Sequence, residues 1–483
     1  MIPTTDFAVL PQRRISVSRR KTAADLSKEF AERIDIYIFN GGIRMEKWEL
    51  EYEKKLCSAA EAVRLVKDGE RILVGGIAAR PEGLVRALVD NAASFHGVKI
   101  MHGLSSGGED YLKEEYKDNF IHETLFVSAS TRKAVNEGCA VVYPCYYFEI
   151  GNLLKDRDIE VDVFMFQASL PNEHGYCSCG LNADFIREGV ETADRVIMQV
   201  NAHMPRNAGI DSLVHVSEAD RIVRCDEPMP AVPRTEITEI ERKIGENCAA
   251  LVEDGSTIQI GIGSIPDAVC QALMGKKNLG VHSEMISDGI MDLCRAGVIT
   301  NTQKSNEKRT MVAAFVMGTQ ELYDFVDNNP AVTLMRASYT NDPFTIAKCS
   351  DLVCINTCIQ VDLMGQVVSG SYGLRNISGS GGQLDFLRGA AITLDKKGKA
   401  IIAMTSVHEK NGVRTSRIRP FITEGSSVTV TRQDADYFVT EFGVAQVKGK
   451  NLKDRARCLI EIAHPDFRPE LIAEYERRFK VAY

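Results

Sequence analysis

The chain contains two copies of one segment, and the second copy decides how the fold is interpreted. The first copy is Leu65-Val66-Lys67-Asp68-Gly69, a short apolar run, and Gly75-Gly76-Ile77-Ala78-Ala79-Arg80-Pro81. The second is Leu251-Val252-Glu253-Asp254-Gly255, a matching apolar run, and Gly261-Ile262-Gly263-Ser264-Ile265-Pro266. Each apolar run predicts a short buried strand that a glycine turn joins to a helix. Strands that alternate with helices build parallel sheets, so the segment predicts an α/β fold.

Two further matches extend the repeat over whole domains. Residues 161–166 resemble residues 350–355, and Asp184-Phe185-Ile186-Arg187 recurs as Asp385-Phe386-Leu387-Arg388. Chance similarity of two glycine and proline turns is the alternative, and three matches in the same order argue against it. The sequence therefore predicts two duplicated α/β domains with mostly parallel sheets.

The domain boundaries follow from prolines and from a change in composition. Pro228, Pro230 and Pro233 would break any helix, which places the boundary near residue 230. Residues 1–44 carry a basic cluster and no core pattern, so they are interpreted as a targeting arm, a disordered tail or non-native sequence. Residues 40–45 can be encoded by a stretch that resembles a bacterial ribosome-binding site before a start codon. We therefore expect a disordered or non-native extension at 1–44, an N-terminal domain at 45–230 and a C-terminal domain at 231–483.

Composition limits the partners. The 483 residues are 44% hydrophobic and 26% charged, with a net charge of −8, which gives no long-range attraction for nucleic acid or an anionic membrane. No apolar run approaches the roughly 20 residues of a membrane span.

Thirteen cysteines without a secretory signal indicate reduced thiols in a cytoplasm. The pair Cys177 and Cys179 has no partner motif, so we interpret it as buried structural cysteine and expect no metal site.

Two glycine-rich stretches are candidates for ligand binding. Residues 261–266 join a predicted strand to a helix start, where backbone N–H groups and the helix dipole attract an anion. The third glycine of a dinucleotide fingerprint is absent, which disfavours a dehydrogenase. Gly379-Ser380-Gly381-Gly382 could form an oxyanion hole from successive N–H groups. The alternative for residues 261–266 is a structural tight turn, and the alternative for residues 379–382 is a flexible loop.

One acidic residue is present only in the second copy. Glu284 lies in Gly280-Val281-His282-Ser283-Glu284-Met285, near the carboxyl end of a predicted strand, where open α/β sheets bind their ligands. A solvated glutamate at a helix start is the alternative. Asp288-Gly289 is predicted to be a structural turn.

The chain from about residue 45 to residue 479 resembles family I coenzyme A transferases. It is most similar to the branch of 4-hydroxybutyrate and butyryl-CoA:acetate CoA-transferases, which is grouped with acetyl-CoA hydrolases. The resemblance rests on ordered segments: 174–178, 201–206, 261–268, 282–285, 361–367, 381–386 and 440–445. It implies a fold like that of NagB, RpiA and the CoA transferases.

The resemblance also implies roles for individual residues. Glu284 would be the nucleophile that forms an acyl-glutamyl anhydride and then a glutamyl-CoA thioester. The implied oxyanion hole is Gly381 and Gly382, and Glu109 would face the acyl pocket, with a surface-loop glutamate as the alternative. Contacts to CoA are implied for Gly261, Ile262, Gly263, Ser264, Ile265, Ile359 and Gly382. The implied partners are acyl-CoA, short carboxylic acids and a second subunit in a homodimer, with CoA as substrate and no permanently bound cofactor.

The chain departs from the family pattern in the first copy. Relatives tend to carry His-Ala-Cys-Gly-Glu-Pro at residues 76–81, so Gly76 replaces a histidine and Arg80 replaces a glutamate. If Arg80 points into the acyl pocket, a cation replaces an anion, and we hypothesise an acceptor with a second carboxylate, such as succinate or itaconate. A solvent-facing Arg80 is the alternative.

Three functions are compatible with these residues. The first is transfer of CoA between short acids. The second is hydrolysis of short acyl-CoA at the same site, with water as acceptor. The third is a non-catalytic acyl-CoA sensor, against which Glu284 and the two glycine clusters argue.

Overall fold

The computed structural model describes residues 37–38, 44–105, 107–207 and 209–483. The expectation for residues 1–44 therefore lies almost wholly outside the described residues. The chain falls into two units, residues 1–54 and 55–483. In the first unit, Tyr37–Ile38 pairs antiparallel with Arg44–Met45, and a helix follows from Lys47.

The first half of the larger unit is built on a parallel sheet. The strands are β1 Arg71–Val74, β2 Val98–His102, β3 Phe120–Thr124, β4 Ala140–Val142, β5 Val163–Ala168, β6 Arg195–Val200 and β7 Arg221–Arg224. Their order in the sheet is β7-β6-β5-β1-β2-β3-β4, and every pair is parallel.

The second half repeats this order. Its strands are β8 Thr257–Ile260, β9 Gly280–Val281, β10 Leu352–Thr357, β11 Lys399–Ala403, β12 Tyr437–Thr440 and β13 Gly443–Gln446. The sheet runs β13-β12-β11-β10-β8-β9 and is parallel except for the pair β12 and β13. Strand β1 corresponds to β8, β5 to β10 and β6 to β11, so the predicted duplicated α/β fold is confirmed.

Helices connect the strands. Helix α7, Glu239–Ala249, shows why they begin where they do: Thr238 Oγ1 accepts a hydrogen bond from Glu241 N, and the Glu241 carboxylate accepts one from Thr238 N. The helices are α1 Lys47–Lys55, α2 Ala59–Ala62, α3 Glu82–Asp90, α4 Arg132–Asn136, α5 Ile150–Lys155, α6 Ile186–Thr192, α7 Glu239–Ala249, α8 Ser264–Ala272, α9 Asp288–Arg295, α10 Gln320–Val326, α11 Ala337–Thr340, α12 Pro343–Ile346, α13 Gln383–Ala391, α14 Leu452–Glu461 and α15 Arg468–Phe479.

Shorter strand pairs surround the two sheets. They are Tyr176–Ser178 with Leu213–His215, Met285–Ile286 with Phe315–Val316, Met311–Ala313 with Val332–Leu334, Gln360–Asp362 with Val367–Val368 and Ile418–Arg419, Ser371–Tyr372 with Arg375–Asn376, and Val407–Lys410 with Val413–Ser416.

The central strands are buried on both faces. Every residue of β5 and of β8 is buried, as expected for parallel strands covered by helices. The predicted glycine segments therefore follow strands that the core holds firmly. Residues 75–81 follow β1 and residues 261–265 follow β8, both at the carboxyl edge of a sheet, where α/β proteins bind ligands.

One local prediction is wrong. Asp288 does not form a turn with Gly289, because it begins α9 and accepts hydrogen bonds from Thr319 N and Thr319 Oγ1.

Cys177 and Cys179 are fully buried, as predicted. All thirteen cysteines lie within the described residues, and none of them is paired in a disulfide. Within the same residues, no helix is long and apolar enough to cross a bilayer.

Candidate active site

The backbone of Glu284 is held by the neighbouring segment at residues 314–315. It lies three residues after β9, and its carbonyl oxygen accepts hydrogen bonds from Ala314 N at 2.9 Å and Phe315 N at 3.2 Å. The next residue, Met285, pairs in parallel with Phe315. Since this extended segment is paired with residues 314–316, the direction of the Glu284 side chain is set by that pairing.

The two carboxylate oxygens of Glu284 have different surroundings. Oε2 accepts hydrogen bonds from Gly382 N at 2.8 Å and from Asn341 Nδ2 at 2.9 Å. Among the described residues, no hydrogen bond is donated to Oε1. One oxygen is therefore fixed and the other is available to react.

The glycine at position 382 is required by this close approach. A Cβ atom there would lie 2.1 Å from Glu284 Oε2 and 2.0 Å from Asn341 Nδ2, far inside van der Waals contact. Only glycine lets the main chain reach the carboxylate.

Burial raises the pKa of Glu284 above its ordinary value, and the hydrogen bonds from Asn341 and Gly382 oppose the rise. Burial disfavours the charged form, whereas both donors favour it. The carboxylate is thus poorly solvated and directionally held, which suits a nucleophile.

Residues 379–382 also contact the first half of the chain. Gly379 N donates to Val127 O at 3.2 Å. A Cβ on Gly379 would lie 2.4 Å from the Phe126 ring, and one on Gly381 would lie 3.3 Å from that ring and 3.7 Å from Glu284 Oε1. The Phe126 ring therefore packs on the loop beside the available carboxylate oxygen.

The other predicted glycine segment borders a cavity of about 260 Å³. Gly261 follows β8, and Gly263, with a φ of 121°, precedes the first residue of α8. The cavity is lined by residues 262–266, 357–358 and 403–405, together with Glu241 and Arg417. Gln383 Nε2 donates to Thr357 O at 2.7 Å, which connects this cavity to the loop that contacts Glu284.

Arg417 lines the same cavity and holds the backbone at Ile359. The Arg417 guanidinium donates to Ile359 O at 3.1 Å and to Cys358 O at 3.2 Å. Its Nε also donates to Thr405 Oγ1 at 3.1 Å. Arg417 is thus a rigidly held cation beside the candidate CoA segment.

Arg80 and Glu109 form a buried polar cluster. Arg80 is 2% exposed, so it does not face solvent. Its guanidinium donates to Gly108 O and lies 3.4 Å from both Glu109 Oε2 and Glu82 Oε1. Glu109 is buried as well, and therefore is not a surface-loop residue.

The charge state of Glu109 follows from its neighbours. Burial raises its pKa, but His102, whose Nε2 lies 3.7 Å from Glu109 Oε2, and the charge of Arg80 lower it well below the ordinary value. Ser130 Oγ donates to Glu109 Oε1 at 3.2 Å, and the segment that carries Ser130 also carries Val127. Residues 127–130 therefore connect this cluster to the loop at Glu284.

The predicted residues are thus only partly brought into direct contact. Gly382 touches Glu284, and Gly381 lies beside it. Residues 262–265 line a separate cavity, Ile359 is hydrogen-bonded to Arg417 of that lining, and Arg80 with Glu109 forms a third group. Sequence reasoning missed Asn341, Phe126 and Arg417, which no motif marks. No group of three or more metal-ligating side chains occurs in the described part of the chain.

Comparison with known proteins identifies the family. The acetyl-CoA hydrolase/transferase N-terminal domain matches residues 42–233, and the C-terminal domain of the same family matches residues 318–475. The chain is 48% identical to the 4-hydroxybutyrate coenzyme A transferase of Clostridium kluyveri, over 90% of this chain and 100% of that protein.

Two further matches agree. The chain is 40% identical to the succinyl-CoA:cyclohexane-1-carboxylate CoA transferase of Geobacter metallireducens, over 90% of this chain and 98% of that protein. The crystal structure of RipA from Yersinia pestis superposes with a TM-score of 0.85 at 34% identity, over 90% of this chain and all of that one. The resemblance inferred from sequence is confirmed: the chain belongs to the acetyl-CoA hydrolase/transferase family of enzymes.

Proposed function

We propose that the protein moves CoA from a short-chain acyl-CoA to a short carboxylic acid, through a thioester on Glu284. The acids considered are acetate, butyrate, 4-hydroxybutyrate and a dicarboxylate such as succinate or itaconate. The observation that carries the proposal is the asymmetric carboxylate, with Oε2 held by two donors and Oε1 available.

The first step is attack of Glu284 Oε1 on the thioester carbonyl of the acyl-CoA. The bond to sulfur breaks, CoA leaves as a thiolate, and an acyl-glutamyl anhydride remains. No general base is needed, because the attacking form is the carboxylate anion, which carries no proton to remove.

In the second step the thiolate attacks the glutamyl carbon. Negative charge then develops on Oε2, which Gly382 N and Asn341 Nδ2 already contact. Donors that are in place before the charge forms lower the barrier without reorganisation. The donor acid departs with Oε1, and the glutamyl-CoA thioester remains. An acceptor carboxylate reverses both steps.

The cavity beside residues 261–265 is the proposed CoA site. The N–H groups at the start of α8, a helix of nine residues, and the Arg417 cation both suit the phosphates of CoA. CoA is a substrate in this proposal, and no permanently bound cofactor is involved.

The surroundings of Arg80 bear on the acceptor. Its charge is already flanked by Glu82 and Glu109, and its end nitrogens are directed at Gly108 O. This arrangement favours an acyl chain without a second charge at that position, over the dicarboxylate that the sequence suggested.

The experiment that tests the proposal compares transfer with hydrolysis. Wild-type protein is incubated with acetyl-CoA, with and without butyrate or succinate, and new acyl-CoA and free thiol are measured separately. We expect acid-dependent transfer that Glu284→Ala abolishes. Glu284→Asp should be slowed about 100-fold, because the carboxylate retreats by one methylene. Exposed Glu253 supplies the matched control, Glu253→Gln, which should transfer normally.

The two alternatives give different outcomes. A hydrolase would release thiol equally fast in buffer alone. A sensor would bind acyl-CoA and turn over neither way, and Glu284→Ala would then be silent.

The proposal also includes a homodimer in the cytoplasm. The family resemblance supports the homodimer. The thirteen cysteines, none of which is in a disulfide, support the cytoplasmic location. Sedimentation of the purified protein at twice the chain mass would agree with the dimer, and sedimentation as a monomer would contradict it.

A further inference from the structure

His282 is a fully buried residue that the proposed mechanism does not use. It directly follows β9 and lies two residues before Glu284. Two neighbouring strands hold its backbone: His282 N donates to Ile258 O of β8 at 3.3 Å, and the next N–H, of Ser283, donates to Val312 O at 3.0 Å. The His282 side chain therefore projects from a segment whose position relative to the nucleophile is fixed.

The imidazole ring of His282 is hydrogen-bonded to a neighbouring helix. Nε2 lies 2.8 Å from the carbonyl oxygen of Thr340, the last residue of α11. Because a carbonyl oxygen only accepts, Nε2 carries a proton and donates. This holds for the neutral ring, which burial and the charge of Lys304 favour by lowering the pKa of His282 to about 4. It holds equally for the charged ring, in which both nitrogens carry protons.

The Thr340 carbonyl depends on this donor because it lies at the end of a helix. The last carbonyl oxygens of a helix have no partner within it. Residue 343, three positions further along, is proline and has no N–H. Phe344 N, four positions further along, donates to Asp342 Oδ1 at 3.3 Å instead. His282 thus supplies a hydrogen bond that neither of these residues provides.

The residue after Thr340 carries one of the two donors to the nucleophile. Asn341 Nδ2 lies 2.9 Å from Glu284 Oε2. The Thr340 carbonyl and the Asn341 nitrogen belong to one planar peptide unit, so a hydrogen bond to that carbonyl also fixes where Asn341 begins. His282 therefore connects the strand segment of Glu284 to the peptide unit of its donor.

We propose that His282 is a positioning residue that holds Asn341 against Glu284 through the Thr340 carbonyl. The inference rests on the proposed function, in which Asn341 stabilises the negative charge that develops on Oε2. Without the hydrogen bond, the peptide unit is free to rotate and Nδ2 moves away from Oε2, whereas the Gly382 donor stays in place. The effect is on the chemical steps and not on the binding of acyl-CoA.

The test compares His282→Gln with His282→Asn. The amide nitrogen of glutamine is as many bonds from Cα as histidine Nε2 and reaches Thr340 O, whereas that of asparagine is one bond closer to the backbone. His282→Gln should keep kcat of transfer within about fivefold of wild type, because it retains the donor. His282→Asn should reduce kcat by about 100-fold, as for a misplacement of about 1 Å, with little change in KM for acyl-CoA. His96→Asn, in an exposed loop, is the matched control and should be normal.

A double-mutant cycle separates positioning from a general structural role. In the Asn341→Ala background the donor is already absent, so His282→Asn should cost less than about threefold there. A loss of about 100-fold in both backgrounds would overturn the inference. A His282→Gln variant as slow as His282→Asn, or normal kcat in folded His282→Asn, would overturn it as well. If His282→Asn does not fold, His282→Phe, which has a ring without a donor, replaces it in the cycle.

Trapping of CoA on Glu284 in wild type is measured alongside. Its failure would overturn the proposed function. Normal trapping together with equal losses in both backgrounds would overturn only the role of His282.

Discussion

The backbone N–H of Gly382 lies 2.8 Å from Oε2 of Glu284, although 98 residues separate them in the chain. This contact joins the loop before α13 to the segment after β9. It requires a residue without a side chain, since a Cβ would lie 2.1 Å from the carboxylate.

Substitution of Gly382 by alanine should therefore abolish most activity. The added methyl group would displace both Glu284 and Asn341, so we expect kcat to fall by at least about 100-fold while the protein remains folded. Steady-state transfer assays with circular dichroism check this. Gly275→Ala is the matched control, because no atom lies within 4 Å of a Cβ there, and it should be normal.

Asn341→Ala removes one of the two donors to Oε2. Loss of one oxyanion donor commonly costs about 100 to 1,000-fold in rate, and we expect a loss in this range in kcat rather than in KM for acyl-CoA. Stopped-flow measurement of thiol release and of thioester formation would separate the two steps. A variant with normal kcat would show that Asn341 does not stabilise the developing charge.

Activity should also fall on the acid side. The reactive form of Glu284 is the anion, and burial raises its pKa above the ordinary value. As pH decreases through that raised pKa, the carboxylate is protonated and the first half-reaction stops, so the acid limb should lie above pH 4.5. A kcat profile in the presence of saturating acyl-CoA tests this. A profile that stays flat below pH 4.5 would contradict it.

Arg80→Met tests the acceptor. The ion pairs of Arg80 predict that the preference between succinate and acetate changes less than about threefold. The variant should lose about 3 to 5 kcal/mol of unfolding free energy, because buried Glu109 loses its partner. Competition between the two acids, with urea unfolding as the stability measurement, gives both quantities. A selective tenfold loss for succinate would instead show that Arg80 binds a second carboxylate.

The sequence was informative about the fold and about part of the site. Short apolar runs that end at glycines locate β1, β2 and β8, because buried parallel strands have this pattern. Gly382 was recognisable because main chain can approach a reacting group only where side chains are absent.

Site residues that lie far from Glu284 in the sequence could not be recognised from it. Asn341 follows α11, 57 residues beyond Glu284, and nothing local distinguishes it from a surface asparagine. Asp288 was misassigned because its hydrogen-bond donors come from Thr319, 31 residues away. Such contacts depend on how the strands are ordered, which a local pattern does not encode.

The most direct test of the central claim is to locate the covalent intermediate. Wild-type protein is incubated with a short acyl-CoA in the absence of acceptor, treated with borohydride or hydroxylamine, digested and mapped by mass spectrometry. We predict that the modification lies on the peptide that contains Glu284, and that Glu284→Ala shows none. Modification of another residue, or turnover by a ternary complex with Glu284 unmodified, would contradict the account.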